Sequence, residues 1–241
     1  YISARGKLLG NGKVETTDSN GKNVQVFAKN IILATGARPK WFPGLKPDGK
    51  QIITYKEAMI LEKQPKSLVI IGAGAIGVEF AHFYQTFGTE VTLIEALPNI
   101  LPIEDNEIST ELEKIFKKRK MNILTNTKVD KIEKLKTKVK VHLHGAEIVE
   151  AEKALIAVGV QGNIEDMGLE ECNIAVEKGW IQKNEFMETS QKNVYAIGDV
   201  AGPPWLAHKA SAEGIIAVEH MSGLAPEPML YDNIPGCTYC H

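Results

Sequence analysis

Ser67-Leu-Val-Ile-Ile-Gly-Ala-Gly-Ala-Ile-Gly-Val-Glu-Phe80 is the stretch whose reading decides the fold. Leu68 to Ile71 form a continuous apolar run, the mark of a strand covered on both faces in a parallel sheet. Residues 73 to 88 then read as a helix stopped by Gly88, where a C-terminal glycine belongs. Between strand and helix lies Gly72-Ala73-Gly74-Ala75-Ile76-Gly77, a G-x-G-x-x-G in the context that gives it meaning. Gly72 permits the tight turn, Gly74 lets the backbone approach a pyrophosphate, and Gly77 lets helix and strand pack closely. The phosphates would meet the free N–H groups and positive end of the helix.

Downstream, Thr89 to Glu95 form a second buried strand. An amphipathic helix follows, with Ile108, Leu112, Ile115 and Phe116 on one face, and then a third strand at Met121 to Thr125. The order βαβαβ is half of a doubly wound fold, so the expectation is an α/β Rossmann-like domain. Glu95 closes the second strand 18 residues after Gly77. A carboxylate there accepts from adenine-ribose hydroxyls and repels a 2′-phosphate, and no Arg occurs between Glu95 and Arg119, which favours NAD over NADP. Glu79 is placed in the first turn of the helix, where complementing the dipole and facing the nicotinamide end of a cofactor fit equally.

Residues 128–150 alternate polar and apolar, an antiparallel meander with one wet face. His142 and His144 share that face with Lys138 and Lys140 and lack a third ligand, so no metal site is expected. Upstream, residues 12–17 and 22–28 read as a hairpin with Asn20-Gly21 supplying positive φ. Ile31 to Ala34 read as a short strand, and Thr54 with Glu57 as a capping box opening a short helix. Beyond residue 150 come a buried strand in "KALIAVG", a short strand near Trp180-Ile181, the strand "NVYAIGD" and the helix "LAHKASAEGIIAVEHMSG". Asp199, at a strand end after Gly198, can hold a sugar-like polyol chain. The helix start at Leu206 to His208 offers amides to an electronegative atom.

Composition bounds the rest. The chain has 241 residues, 44% hydrophobic and 24% charged, with net charge −2. No basic excess points to nucleic acid, no polybasic tail to a membrane surface, and no apolar run is long enough to span a bilayer. Three cysteines make no disulfide framework and favour a reducing, cytoplasmic setting. The N-terminus reads as neither a secretory signal nor an initiator, so an internal excerpt of a longer chain is expected. The closing Cys237-Thr-Tyr-Cys-His241 spells a haem-attachment motif, but no export signal accompanies it. A Cys-x-x-Cys redox pair would need a following helix to lower a thiol pKa, and none is expected.

"ATGARP" (34–39), "IGAGAIGVEFA", "TLIE", "AVG", "AIGDVAG" and "LAHKASAEG", in this order, resemble the dihydrolipoyl dehydrogenases of the pyridine nucleotide–disulfide oxidoreductase flavoproteins over essentially the whole chain. The resemblance implies an NAD site at Gly72, Ala73, Gly74, Ala75, Ile76, Gly77, Val78 and Glu79, with Glu95 on the ribose, Val129 near the adenine and Gly159 near the nicotinamide. It implies FAD contacts at Thr35, Gly36 and Ala37, at Asp199 on the ribityl chain, and at Trp205, Leu206, Ala207 and His208 by the ring. It implies partial FAD-domain segments at 1–37 and 161–230, an NAD domain at 38–160 and the start of an interface domain at 231–241, with Thr238 to Cys240 opening its first strand.

Such enzymes pass electrons from protein-bound dihydrolipoamide through a disulfide and FAD to NAD. Their partners are lipoyl domains of 2-oxo acid dehydrogenase or glycine cleavage complexes and a homodimer partner. The family's redox disulfide, N-terminal FAD motif and catalytic His-Glu pair do not occur in these residues, so no catalytic residue is assigned. The isolated chain is expected to bind NAD(H), to lose FAD and to be inactive. Val160 to Asn163 replace the family's Arg-Arg-Pro. Another flavin disulfide reductase or NADH oxidase, and a non-catalytic NAD-binding module, are the alternatives.

Overall fold

The computed structural model describes residues 1–240. The chain divides into two compact units, Tyr1–Arg38 with Gln161–Gly236, and Pro39–Val160 with the residues from Cys237 on.

The first unit opens with an antiparallel meander of β1 (Arg5–Gly10), β2 (Lys13–Thr17) and β3 (Asn23–Phe27). The β2–β3 turn differs from the expected Asn-Gly pair: only Gly21 has positive φ. Asp18 closes it instead, its Oδ1 accepting from the N–H groups of Asn20 and Lys22 at 2.9 Å each. β4 (Ile31–Leu33) ends one residue sooner than expected, and the chain leaves this unit through β5 (Ala37–Pro39).

The second unit is a five-stranded parallel sheet. β6 (Ile52–Ile53) leads into α1 (Tyr55–Ala58), whose capping box is present as expected: Glu57 Oε2 accepts from Thr54 N–H at 2.8 Å, while the Thr54 hydroxyl accepts from Lys56 N–H. β7 (Ser67–Ile71), α2 (Ala75–Thr86), β8 (Glu90–Ile94), α3 (Asn106–Lys118) and β9 (Asn122–Leu124) give the βαβαβ run. β10 (Val129–Lys134), β11 (Val139–Leu143) and β12 (Ile148–Ala151) form the antiparallel meander, and β13 (Lys153–Ile156) returns to the sheet.

The strand order is β6-β13-β7-β8-β9. The chain thus winds one way from β7 and returns on its other side, making the C-terminal end of β7 the switch point where α/β sheets bind ligands. The sheet faces explain the apolar runs. Leu68 and Ile70 enter one core with Val78, Ala81, Tyr84 and Phe116, whereas Val69 and Ile71 enter another with Val139, Val141 and Leu143. Leu112 and Ile115 pack at the edge of the first core, but Ile108 is 60% exposed and belongs to the outer face of α3. The i, i+4 pattern extended one turn beyond the contact that α3 makes.

The chain re-enters the first unit in β14 (Val160–Gly162), followed by the hairpin of β15 (Val176–Glu177) and β16 (Trp180–Ile181), then β17 (Val194–Ala196). β17 pairs in parallel with β4, Tyr195 opposite Ile32. A short 3-10 turn over Gly198–Ala201 leads to α4 (Ala207–Met221). A 3-10 turn at Tyr231–Asn233 follows, and Thr238 to Cys240 are not a strand, contrary to expectation. His241, the last residue of the haem-like spelling, lies outside the described residues. No helix among them is long and apolar enough to cross a membrane.

Candidate nucleotide-binding sites

The turn after β7 follows from its glycines. Gly72 has φ +100°, and a Cβ there would lie 2.4 Å from the Ala157 carbonyl oxygen. A Cβ on Gly77 would lie 1.9 Å from the carbonyl oxygen of Gly72, so no side chain fits where α2 crosses the strand end. Gly74 differs: nothing lies within 4 Å of its Cβ position. It is the N-cap of α2 and makes no side-chain cap, so the helix start faces open space with its amides unclaimed by a capping side chain. Ala73 is fully buried, Ala75 and Ile76 are half-buried, and Val78 packs inward.

Glu95 is 8% exposed at the end of β8. Its Oε2 accepts from the Ala73 N–H at 2.7 Å and its Oε1 from the Leu97 N–H at 2.9 Å. One carboxylate thereby ties the glycine turn to the next strand. Each oxygen keeps a further lone pair for an outside donor. Glu79 is not in the first turn of α2, which starts at Ala75; it begins the second turn. Its Oε1 accepts from the Tyr239 N–H at 2.7 Å. Gly159 has φ +104°, open space at its Cβ position, and a carbonyl that accepts from Lys40 N–H. Val129, at the start of β10, is half-buried against the second core beside a register shift in its pairing with β11.

In the other unit, Gly36 has φ +71° and open space around it. The Thr35 hydroxyl donates to the Asn163 carbonyl at 2.8 Å, Asn163 Nδ2 returns a bond to Thr35 O at 2.9 Å, and Asn163 N–H donates to Gly36 O. Asn163 thus anchors the Thr35–Ala37 turn. Arg38 strengthens the same corner, donating to Gly162 O at 2.9 Å and to both oxygens of Glu165. That guanidinium holds the Glu165 carboxyl below the usual carboxylate range. Nothing in the spacing of Arg38 and Glu165 along the chain signals this pair.

Asp199 is half-buried in the turn after β17, and no protein group bonds its carboxylate among the described residues. Leu206 caps α4 without a side-chain bond. Trp205 is 42% exposed and packs on Trp180, with ring centroids 5.3 Å apart. Ala207 is exposed, and His208 Nε2 donates to Pro235 O at 3.0 Å in the tautomer protonated there.

The remaining candidates resolve locally. His142 faces Glu133 at 3.1 Å and His144 faces Asp130 at 3.4 Å, so the two imidazoles have separate carboxylate partners. All three cysteines are free thiols, and burial pushes the Cys172 and Cys240 thiols up, away from the reactive range.

Each of the two turns is a strand end leading through glycine to a helix N-terminus. The pyridine nucleotide-disulphide oxidoreductase family matches residues 3–214, and the chain belongs to that family. Within it, the chain is 46% identical over 219 residues to a dihydrolipoyl dehydrogenase of Rhizobium etli, covering 89% of this chain and 46% of the relative. It is 43% identical over 234 residues to the dihydrolipoyl dehydrogenase of Bacillus subtilis, covering 95% and 49%. The crystal structure of LpdA from Mycobacterium tuberculosis superimposes with a TM-score of 0.93 at 27% identity, covering 99% of this chain and 54% of that one. The HOCl-induced flavoprotein disulfide reductase RclA from Escherichia coli gives 0.83 at 26% identity, covering 94% and 52%. The chain spans about half the length of the curated relatives it matches.

Proposed function

We propose that the chain is the NAD-binding unit, with part of the flavin-binding unit, of a dihydrolipoyl dehydrogenase that oxidises protein-bound dihydrolipoamide and reduces NAD+. The observation that carries the nucleotide assignment is Glu95. It is a buried carboxylate already oriented by two amides, beside a helix start that opens onto empty space at Gly74. A dinucleotide fits these residues. Gly74, Ala75 and Ile76 would hold the pyrophosphate at the start of α2, where the helix dipole favours negative charge. Glu95 would accept from the adenine ribose, and Gly159 and Glu79 would flank the nicotinamide side.

A flavin fits the other turn. Thr35, Gly36 and Ala37 line it, Asp199 offers an unengaged carboxylate to a polyol, and the start of α4 offers amides near Trp205 to His208. When bound, the two cofactors supply the hydride chemistry. The residues of this chain bind and orient: α2 neutralises phosphate charge, and Glu95 selects against a 2′-phosphate. The proposed partners are lipoyl domains and a second copy of the full-length polypeptide.

The three cysteines stand at 172, 237 and 240, and the first is buried. None forms the paired redox disulfide that dihydrolipoamide must meet, so these 241 residues are expected to bind NADH and not to turn over alone. The test is steady-state assay of the full-length polypeptide and of these residues by themselves, with dihydrolipoamide and NAD+. Turnover by the first and none by the second is expected. A full-length polypeptide that oxidises no dihydrolipoamide and forms no NADH contradicts the assignment.

A further inference from the structure

The interior of the flavin-side unit holds a charged pair that the proposed function does not use. Lys209 and Glu213, one turn apart on α4, are both fully buried. Burying a charge is costly unless it is paired and hydrogen-bonded. Here the bonding is complete. Lys209 Nζ has three donors, and they go to Gly198 O at 3.0 Å, Gly202 O at 3.0 Å and Glu213 Oε2 at 3.2 Å. Glu213 Oε2 also accepts from the Gly198 N–H at 2.7 Å, and Glu213 Oε1 accepts from Lys183 Nζ and, at 2.8 Å, from the Tyr231 hydroxyl.

Gly198 and Gly202 are the two ends of the short turn that carries Asp199, and both have positive φ. Lys209 therefore bridges the carbonyls at the two ends of that turn, while Glu213 holds its first amide. An apolar pair of the same volume would fill the core equally well. It would remove a buried partner from two carbonyls and one amide of the turn.

We propose that Lys209 and Glu213 are positioning residues: they lock the Gly198–Gly202 turn from beneath, and so fix where Asp199 presents its carboxylate to the polyol chain of a flavin nucleotide. The inference rests on the proposed flavin assignment of Asp199, and its structural half stands apart from that assignment. Lys183 and Tyr231 close the cluster from the far side, with Lys183 Nζ 5.0 Å from the centre of the Tyr231 ring.

The experiment uses the full-length polypeptide with Lys209→Met, Glu213→Gln, Asp199→Asn and, as a control of general stability, Ile216→Ala, a core residue of α4 itself. Two readouts are taken under conditions where each variant is folded: hydrogen exchange of the 198–202 amides in the apoprotein, and the FAD dissociation constant with the visible circular dichroism of the bound flavin. Glu213→Gln keeps the side-chain shape and serves if Lys209→Met fails to fold. Lys209→Met and Glu213→Gln are expected to speed exchange of the turn, to weaken FAD by about tenfold or more, and to alter the dichroism. Ile216→Ala should lower the melting temperature and leave FAD affinity and dichroism unchanged. Asp199→Asn should weaken FAD without speeding exchange. Wild-type exchange in Lys209→Met and Glu213→Gln overturns the lock. Faster exchange with FAD affinity unchanged in both the lock variants and Asp199→Asn overturns the flavin role of the turn while leaving the dinucleotide assignment of the other unit intact.

Discussion

Two turns of this chain solve one problem by different means. On the proposed assignment, each holds a strand end, a glycine bend and a helix start rigid enough to meet a nucleotide. After β7 the solution is steric. Backbone packs on backbone at Gly72 and Gly77, with a single carboxylate, Glu95, tying the loop to β8. After β17 the solution is electrostatic. A buried lysine and glutamate hold the turn by its two carbonyls and its first amide. Steric solutions tolerate no added atom, whereas electrostatic ones tolerate added atoms and fail when a charge is removed.

The largest effect should come from Gly77→Ala. Its Cβ would stand 1.9 Å from the Gly72 carbonyl oxygen, so the turn must open. A loss of more than about 3 kcal/mol in denaturant unfolding is expected, with nucleotide binding abolished. Gly202→Ala gives the contrast. Its Cβ would meet Trp180 at 3.6 Å, ordinary contact, so only the backbone conformation at φ +93° is penalised, about 1–3 kcal/mol. Equal costs at the two glycines would dissolve the distinction.

Glu95→Ala should cost about 1–3 kcal/mol by leaving the Ala73 amide without its partner, and NADH affinity should fall about tenfold or more. Titration calorimetry with parallel chemical unfolding separates the two effects. Thr54→Ala removes the cap of α1 in the same unit and should cost about 1 kcal/mol with NADH affinity unchanged, which separates general loosening from damage at the site.

The last effect appears only at acid pH. Burial raises the Asp48 carboxyl pKa, but bonds from the amides of Lys50, Ile52 and Gln51 and from Lys134 outweigh it and hold the group at about 2. A depressed folded pKa means that its stabilisation is complete above the ordinary carboxylate range and is lost as pH falls from about 4 towards 2. Asp48→Asn should flatten that limb of the stability–pH curve. An unchanged limb would assign it to other carboxylates.

The same contrast explains what could be read from the sequence. The steric turn leaves a periodic trace. Apolar strands, glycines at fixed offsets and an acid closing the next strand all follow from local geometry, and β7, α2, β8, α3 and β9 stand where that pattern puts them. The electrostatic turn leaves little trace, because Lys209 and Glu213 look like any i, i+4 surface pair until the structure buries both. Arg38 and Glu165 meet across 127 residues and escape local reading for the same reason. The meander strand β1 leaves no signal in the sequence, because "RGKLLG" shows no clean alternation and only Leu8 of it is buried. Ile108 erred the other way: helical period alone does not say where the neighbouring surface stops.

The central claim is that Glu95 makes this an NAD site, and binding of NADH against NADPH tests it most directly. Energy transfer from tryptophan to the reduced nicotinamide, titrated with each nucleotide under identical salt, reads both affinities. NADH is expected to bind at least about tenfold more tightly, since the buried Glu95 carboxylate would repel a 2′-phosphate placed at the end of β8. NADPH binding as tightly as NADH, or more so, would contradict it.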